Sequence, residues 1–232
     1  MSVYSILFNF LYQLKKASKL NKPWIKSIIF FPRYYRYAKN KSSTLELELP
    51  WITFEALGFL NNLNLKDIQI FEYGSGGSSL YFSNRGAHVI SIEHNKDWFL
   101  SLKSILSKIE NKLVIDLRLI EPEKESQPTV FSENDKNYAG YSFKKYSDSI
   151  LQYPEGLFDL IVIDGRARPF CLYNSISKVK DGGYILFDNS NRVSYHYELE
   201  KISDWLVSKS YGPTVNDLSF NETSIYRKPF FK

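Results

Sequence analysis

A glycine-rich run, EYGSGGSS from Glu72 to Ser79, holds the residues of this chain whose spacing most clearly suggests ligand chemistry. Glycines in such a turn let the backbone approach a ligand closely. A second carboxylate, Glu93, follows Gly74 by 19 residues, close to the interval at which dinucleotide-binding chains place an acidic ligand for ribose hydroxyls. The run departs from the dinucleotide pattern because Ser79 stands where that pattern requires a third glycine.

The carboxylate of Glu72 indicates what kind of ligand this turn would bind. In a dinucleotide site the pyrophosphate lies at the N-terminus of the helix that follows the turn. A carboxylate two residues before the first glycine would repel it. A nucleoside ligand with a positive charge and no phosphate removes the conflict. S-adenosylmethionine carries an α-ammonium group, a sulfonium and a ribose diol, so these residues favour it over a dinucleotide.

The elements that must position these residues alternate along the chain. Strands are predicted at residues 68–73, 88–93, 113–120, 158–164 and 184–188, with a closing hairpin of 214–220 and 222–227 that turns near Asn221. Helices are predicted at residues 54–63, 79–84, 97–110, 169–179 and 197–208, a polar irregular segment at 121–137, and a turn at the DGG of 181–183. This alternation predicts an α/β fold with a doubly wound, mostly parallel seven-stranded sheet.

Carboxylates end several of the predicted strands. Glu93, Asp164 and Asp188 each close an apolar run, and Glu72 lies one residue before the end of the first strand. Because ligands of doubly wound sheets bind beyond the carboxyl ends of the strands, these side chains are predicted to surround one site.

Several segments resemble a known superfamily. EYGSGGSS followed by SIEHN is similar to the first two motifs of class I S-adenosylmethionine-dependent methyltransferases, and FDLIVIDGRAR with DGGYILFDNSNR resembles their later motifs. Together with LPWIT and SIEHNKDW, these segments resemble a poorly characterised bacterial group. The resemblance covers residues 49–227. It implies a Rossmann-like methyltransferase fold, S-adenosyl-L-methionine as cofactor, and methyl transfer to a small-molecule or carbohydrate hydroxyl or to an amine.

The resemblance also implies a role for each matching residue. Glu72 would hold the methionine ammonium group, directly or through water. Glu93 would accept hydrogen bonds from both ribose hydroxyls, and His94 would flank the adenine. The other cofactor-binding residues would lie along the turn, two giving the backbone room and one or both serines binding the methionine carboxylate: Gly74 and Gly76, and Ser75 or Ser78.

Three residues on the acceptor side are predicted to be catalytic: Asp164, Asp188 and His196. A hydroxyl acceptor must lose its proton to a positioned base or to a metal, and an imidazole in this loop could act near neutral pH. Asp164, Asp188 and Asn189 also fall where cation-dependent O-methyltransferases place metal ligands. The arginines of DGRAR would repel a cation, so no metal is predicted. Arg166 and Arg168 either pair with the carboxylates or bind an anionic acceptor.

Charge divides the chain into two parts. Of its 30 Lys and Arg residues, nine lie in residues 1–41, which contain no Asp or Glu. Residues 42–232 contain the remaining 21 Lys and Arg residues and 25 acidic residues, a net charge of −4. This negative charge argues against nucleic acid as the substrate of the main part. Two units are therefore predicted: a basic amphipathic arm at 1–43 and a cofactor-binding domain at 44–232.

The arm has more than one interpretation. Its apolar residues from Val3 to Ala17 recur at helical spacing up to a break at Pro23. This stripe could pack on the main domain or on a partner subunit, or the arm could lie on an anionic membrane surface. The apolar run is too short to cross a bilayer, and no secretory cleavage pattern follows it. The single cysteine, Cys171, excludes an internal disulfide, so a cytoplasmic protein is predicted.

Two other classes of protein stay open on the sequence. A dinucleotide-dependent oxidoreductase would use a similar turn, although Glu72 and the missing third glycine argue against it. A non-catalytic binding module could keep the same fold and act through its basic arm.

Overall fold

The computed structural model describes residues 2–40, 42–109, 114–132 and 135–230. Its strands are β1 (Gln69–Tyr73), β2 (His88–Glu93), β3 (Ile115–Leu119), β4 (Glu123–Lys124), β5 (Tyr141–Ser142), β6 (Phe158–Ile163), β7 (Val179–Asp188), β8 (Leu206–Pro213) and β9 (Phe220–Arg227). Its α-helices are α1 (Val3–Lys19), α2 (Phe31–Asn40), α3 (Thr44–Leu47), α4 (Phe54–Asn61), α5 (Gly77–Ser83), α6 (Lys96–Leu106), α7 (Lys144–Asp148), α8 (Arg168–Ser175) and α9 (His196–Glu200). Short 3₁₀ helices occupy Ile25–Phe30, Lys136–Tyr138, Ser149–Gln152, Val193–Tyr195 and Ser203–Trp205. The predicted helix end at Glu110 and strand start at Leu113 lie outside the described residues.

Seven strands form one sheet in the order β3-β2-β1-β6-β7-β9-β8. The strands from β3 to β7 are parallel, and β9 pairs antiparallel with both β7 and β8. The predicted doubly wound, mostly parallel seven-stranded sheet is therefore confirmed. The strand order reverses between β1 and β6, so the carboxyl ends of these two strands mark the position expected for a ligand.

The central strands are mostly apolar because helices and loops cover both faces of the sheet. Successive side chains of a strand point to opposite faces, and β1 shows this directly. Ile70 packs in one buried cluster with Leu160 and Val162, whereas Phe71 packs in a second cluster with Ile161. Each face of the sheet thus packs against one of these two buried clusters.

The N-terminal helix α1 is confirmed, and one face of it belongs to the first of these clusters. Its buried apolar side chains are Ile6, Phe10, Leu14 and Ala17. The Phe10 ring lies 5.0 Å from Phe31 of α2 and 5.3 Å from Phe220 of β9, between ring centroids. After the helix, Lys22 forms a 2.6 Å ion pair with the buried carboxylate of Glu222. The arm and the sheet therefore share one core.

Ile6→Val is expected to lower the stability of the protein because Ile6 is 0% exposed. Loss of one buried methyl group typically costs about 1 kcal/mol, which lowers Tm by roughly 2–4 °C in a chain of this size. The matched control is Ile29→Val, at a position that is 73% exposed. Thermal denaturation should separate the two variants, and equal Tm values would show that α1 is not part of the folded core.

Two sequence predictions for the residues before and within β7 are wrong. The DGG segment is not a turn before a strand, because β7 already begins at Val179 and continues through it. The register between β6 and β7 shifts between Phe158 and Leu160, and Gly182 has φ of +75°, so the glycines form an irregularity within the strand. The predicted helix at 169–179 correspondingly ends at Ser175.

The closing hairpin is displaced from its predicted position. Residues 206–208, predicted as helix, belong to β8, and Asn221 lies within β9 opposite Gly212. The reversal occurs earlier, at Asn216, which has φ of +66°, and at Asp217, whose Oδ1 accepts a 2.9 Å bond from the Ser219 amide. An Asn-Asp pair of this kind is a turn signal.

Candidate functional site

The glycine turn joins β1 to α5 and is shaped by close contacts between loops. Gly74 has φ of +94°, and a Cβ there would lie 2.7 Å from Gly165 Cα in the loop after β6. A Cβ on Gly77 would collide with the Thr44 carbonyl oxygen. At Gly76 an added Cβ would meet only the Trp98 side chain, at 3.7 Å. The first and last of these glycines are thus needed for packing, while Gly76 leaves the backbone accessible.

Glu72 lies beneath this turn as a fully buried carboxylate. Its Oε2 accepts hydrogen bonds from the Ser79 and Ser91 hydroxyls, at 2.5 and 2.7 Å. Its Oε1 has no hydrogen-bond partner among the described residues. Burial raises the pKa of Glu72 to about 7, and the neighbouring serine hydroxyls oppose that rise. A buried acid with a displaced pKa and one free oxygen is typical of a functional position.

Glu93 is the last residue of β2, and its carboxylate accepts hydrogen bonds from two loops. Its Oε2 accepts bonds from the Ser75 amide and hydroxyl, both at 3.1 Å. Its Oε1 accepts from the amides of His94 and Asn95, at 2.9 and 2.7 Å. Four donors thus hold this carboxylate beside the glycine turn. The Trp98 indole adds a 2.7 Å bond to the Ser75 carbonyl oxygen.

The local sequence explains how α6 supports this arrangement. Asn95 caps the helix, since its Oδ1 accepts a 2.9 Å bond from the Trp98 amide. The cap sets the start of the helix at Lys96, three residues after Glu93, and the first turn then carries Trp98 back over the glycine turn. SIEHNKDW is therefore a structural unit in which the cap and the indole both position the carboxylate.

Asp164 and Asp188 lie at the carboxyl ends of β6 and β7 and share Arg168. The guanidinium Nη2 donates to Asp164 Oδ1 at 2.9 Å, and Nη1 lies 3.4 Å from Asp188 Oδ2. The same side chain donates to the Gly165 carbonyl oxygen at 3.0 Å. Arg168 thus pairs with the carboxylates, which is one of the two alternatives left open by the sequence.

The two aspartates differ in how much of each is available. Asp188 is buried, and its oxygens accept 2.7 Å bonds from the Thr223 hydroxyl and the Asn189 amide group. The Asp164 side chain is 23% exposed. Burial raises the pKa of both groups; the Asp188 charge raises that of Asp164 further, and Arg168 opposes both rises. Asp164 is the carboxylate that can meet a ligand.

Asp135 and Tyr138, at and directly after the end of the segment predicted to be polar and irregular, contact residues around the glycine turn and the loop after β6. Arg166 forms a 3.0 Å ion pair with Asp135, and its guanidinium lies 5.8 Å from the Tyr138 ring centroid. Tyr138 in turn packs edge-on against His94, 5.4 Å between ring centroids. The polar segment before Tyr138 carried no readable motif, so only the folded chain reveals that it faces the glycine turn.

These groups surround one cavity of about 970 Å³, at the upper end of the range of small-ligand sites. Eight of the ten residues predicted for the site line it: Gly74, Ser75, Gly76, Ser78, Glu93, His94, Asp164 and Asp188. Glu72 lies below the cavity wall. His196 is exposed at the start of α9 and is not among the lining residues. The roles assigned to these residues stay predictions.

Within the described ranges, no group of three or more His, Cys, Asp or Glu side chains is arranged to hold a metal ion. A cation placed between Asp164 and Asp188 would have to displace the guanidinium of Arg168.

Solved structures of other proteins share this fold. No protein-family model matches the chain, and no curated protein matches its sequence. A proposed O-methyltransferase from Klebsiella pneumoniae superposes over 85% of this chain and 96% of its own, with a TM-score of 0.54 and 15% identity. The chain has a class I methyltransferase fold. At this level of identity the similarity establishes the fold and leaves the activity to be tested.

Two further solved structures resemble the chain with TM-scores below 0.5. A methyltransferase-like protein from Silicibacter pomeroyi has 20% identity and a TM-score of 0.48, over 77% of this chain and 89% of its own. The tRNA (m1A58) methyltransferase TrmI from Aquifex aeolicus has 15% identity and a TM-score of 0.48, over 82% and 77%.

Proposed function

We propose that this protein is an S-adenosylmethionine-dependent methyltransferase that acts on a hydroxyl of a small molecule or carbohydrate, or on an amine. The observation that carries the proposal is the charge at the turn. Glu72 lies below the turn and Glu93 beside it, whereas the arginines that line the cavity, Arg166, Arg168 and Arg192, come from the segments after β6 and β7. Such a turn suits a ligand with a cationic group and disfavours a pyrophosphate.

The residues present fit that cofactor. The open backbone at Gly76 gives a ligand access to the turn, and Glu72 places beneath it a carboxylate whose Oε1 is unpaired within the described ranges. Glu72 would attract the methionine ammonium group, directly or through water, and Ser75 or Ser78 would bind the methionine carboxylate. When bound, the cofactor supplies an electrophilic methyl group on its sulfonium.

The ribose would be held by Glu93, whose four hydrogen bonds constrain how this can happen. Three of the donors are backbone amides fixed by the loops, and the fourth is the Ser75 hydroxyl, which can rotate. A ribose hydroxyl would therefore replace the Ser75 hydroxyl at Oε2. His94 and the packed ring of Tyr138 would flank the adenine.

On the acceptor side we assign Asp164 as the base that accepts the proton of the acceptor. It lines the cavity, and burial raises its pKa, which makes it a stronger base than an exposed carboxylate. Asp188 would position Arg168 and the loop that follows β7. A base role for His196 requires its exposed side chain to reach the acceptor, and turnover of His196→Ala measures that role directly.

Calorimetry with S-adenosylhomocysteine and with NAD(H) tests the proposal against the oxidoreductase alternative. We expect S-adenosylhomocysteine to bind in the micromolar range, about −8 kcal/mol, with no heat from NAD(H). Binding of NAD(H) alone would overturn the proposal. Binding of S-adenosylhomocysteine without methyl transfer to any compound in a broad acceptor screen would favour the non-catalytic module.

The proposal extends to partners and location. The net charge of −4 in residues 42–232 weighs against a nucleic-acid acceptor. We propose a cytoplasmic enzyme with a peripheral membrane contact through residues 1–41. No helix among the described residues is both long and apolar enough to cross a bilayer.

A further inference from the structure

The outer face of α1 has a composition that packing on the domain does not explain. Opposite the buried residues, side chains at helical spacing point to solvent: Tyr4 is 85% exposed, Phe8 75% and Leu11 54%. The same row continues to Lys15 and Lys19, which lie four and eight residues after Leu11. The helix thus has two apolar stripes, and only one of them is buried.

The short helix Ile25–Phe30 adds to this exposed apolar surface. Ile25, Ile28 and Ile29 are 68%, 48% and 73% exposed, while Ser27 between them is buried. Residues 2–40 expose ten large apolar side chains, and the much longer remainder of the described chain exposes twelve. Apolar exposure is therefore concentrated in the arm, and concentrations of this kind mark interaction sites.

The cations of the arm are available as well. Lys22 is paired with Glu222, and Lys26 lies 3.6 Å from Glu55. Within the described part of the chain, no salt bridge involves the other basic residues of α1 and α2: Lys15, Lys16, Lys19, Arg33, Arg36 and Lys39. The last three are exposed on α2.

We infer that this face, comprising the outer stripe of α1 and the exposed residues of Ile25–Phe30, binds an anionic lipid bilayer with α1 lying in the plane of the interface. Aromatic and aliphatic side chains that enter the interface, together with lysines that meet anionic headgroups, are the combination that such surfaces attract. Tyr4 and Tyr12 lie one turn on either side of Phe8 in the same row, and tyrosines favour the headgroup level.

The chemistry of the face favours lipid over other occupants. A nucleic acid would use the cations but leave Ile25, Ile29 and Leu11 without partners. A second copy of this chain would bring the lysines of the row, Lys15 and Lys19, against those of the first. Neither lysine forms a salt bridge among the described residues, and like charges oppose that contact.

The test uses the full chain and vesicles of stated composition in a sedimentation assay. One set is phosphatidylcholine alone, and the other contains about 30% phosphatidylglycerol. We expect at least tenfold stronger partitioning into the anionic vesicles, with a large loss when NaCl is raised from about 0.1 to 0.5 M and the screening length shortens.

Two variants address the face itself, since both change exposed residues. Phe8→Gln with Leu11→Gln removes the apolar contact, and Lys15→Glu with Lys19→Glu reverses the charge. Each pair should weaken partitioning at least tenfold without changing Tm. The matched control is Tyr173→Gln with Leu151→Gln, elsewhere on the surface, where the side chains are 64% and 47% exposed. The control should partition like the unmodified protein.

Several results would overturn the inference. These are absence of binding to anionic vesicles, equal loss of binding in the control, or full binding by both variants. Sedimentation velocity without lipid is the last check, because a stable dimer broken by Phe8→Gln with Leu11→Gln would show that a second copy covers the face. None of these measurements uses a methyl acceptor, so the inference stands or fails separately from the proposed activity.

Discussion

Asp164→Asn is expected to lower kcat at least 100-fold, since a positioned base typically contributes between about 10² and 10⁴ in rate. The substitution removes the oxygen that would accept the acceptor's proton while leaving an oxygen to accept from Arg168. Affinity for S-adenosylhomocysteine should stay within about threefold, because that binding needs no proton transfer. The measurements are turnover with labelled cofactor on an acceptor from the screen, and calorimetry.

The pH profile gives an independent check of the same residue. A base acts in its deprotonated form, and burial raises the pKa of Asp164. Under the proposed function, activity of the unmodified protein should therefore rise with pH as Asp164 loses its proton, and Asp164→Asn should lack that acidic limb. Asp159→Asn is the matched control at the other end of β6, where Asp159 binds Lys180 and the Gln69 amide. A loss of cofactor affinity as large as the loss in kcat would place Asp164 in the cofactor site instead.

Glu72→Gln is expected to change stability and cofactor binding with opposite dependence on pH. The pKa of Glu72 is raised from 4.5 to about 7 in the folded state, so the folded protein holds an extra proton between these values. The free energy of unfolding should therefore fall as pH rises through this window, by roughly 3 kcal/mol in total. A glutamine is neutral at every pH, so the variant should lack this decrease.

Cofactor binding should follow the reverse trend because an ammonium group is attracted only by the ionised carboxylate. At pH 8 we expect Glu72→Gln to bind S-adenosylmethionine at least tenfold more weakly, about 1.4 kcal/mol. Near pH 6 the difference should shrink. Denaturant unfolding and calorimetry across this range measure both trends. Unchanged affinity at pH 8, with the stability trend intact, would show that Glu72 only supports the turn through Ser79 and Ser91.

The lining of the cavity was predictable where a side chain ends an apolar run. Glu93 and Asp164 could be placed because buried parallel strands are apolar throughout and end together at one edge of the sheet. The helix of the arm was predictable because its apolar spacing is long and regular. The partner of the outer face of this helix was not predictable, because a buried and an exposed apolar stripe have the same spacing in a sequence.

Other features depended on contacts between distant segments. The pairing of Arg168 with Asp188 spans 20 residues, and the alternative of an anionic ligand has the same sequence pattern. His196 follows β7, as predicted. The short helix Val193–Tyr195 and α9 place it on the surface, outside the cavity lining. The hairpin was displaced because Leu206 and Val207 are exposed on an edge strand, where spacing does not distinguish a strand from a helix.

The carboxylate of Glu222 contacts both the arm and a loop that lines the cavity. It is paired with Lys22 at 2.6 Å and accepts a 3.0 Å bond from the Ser190 hydroxyl, in the loop that begins with the cavity-lining Asn189. Lys22 of the arm and Ser190 of that loop therefore share one carboxylate. Coupling free energy is reciprocal. If a bilayer alters the affinity for the acceptor by some factor, the acceptor must alter the affinity for the bilayer by the same factor.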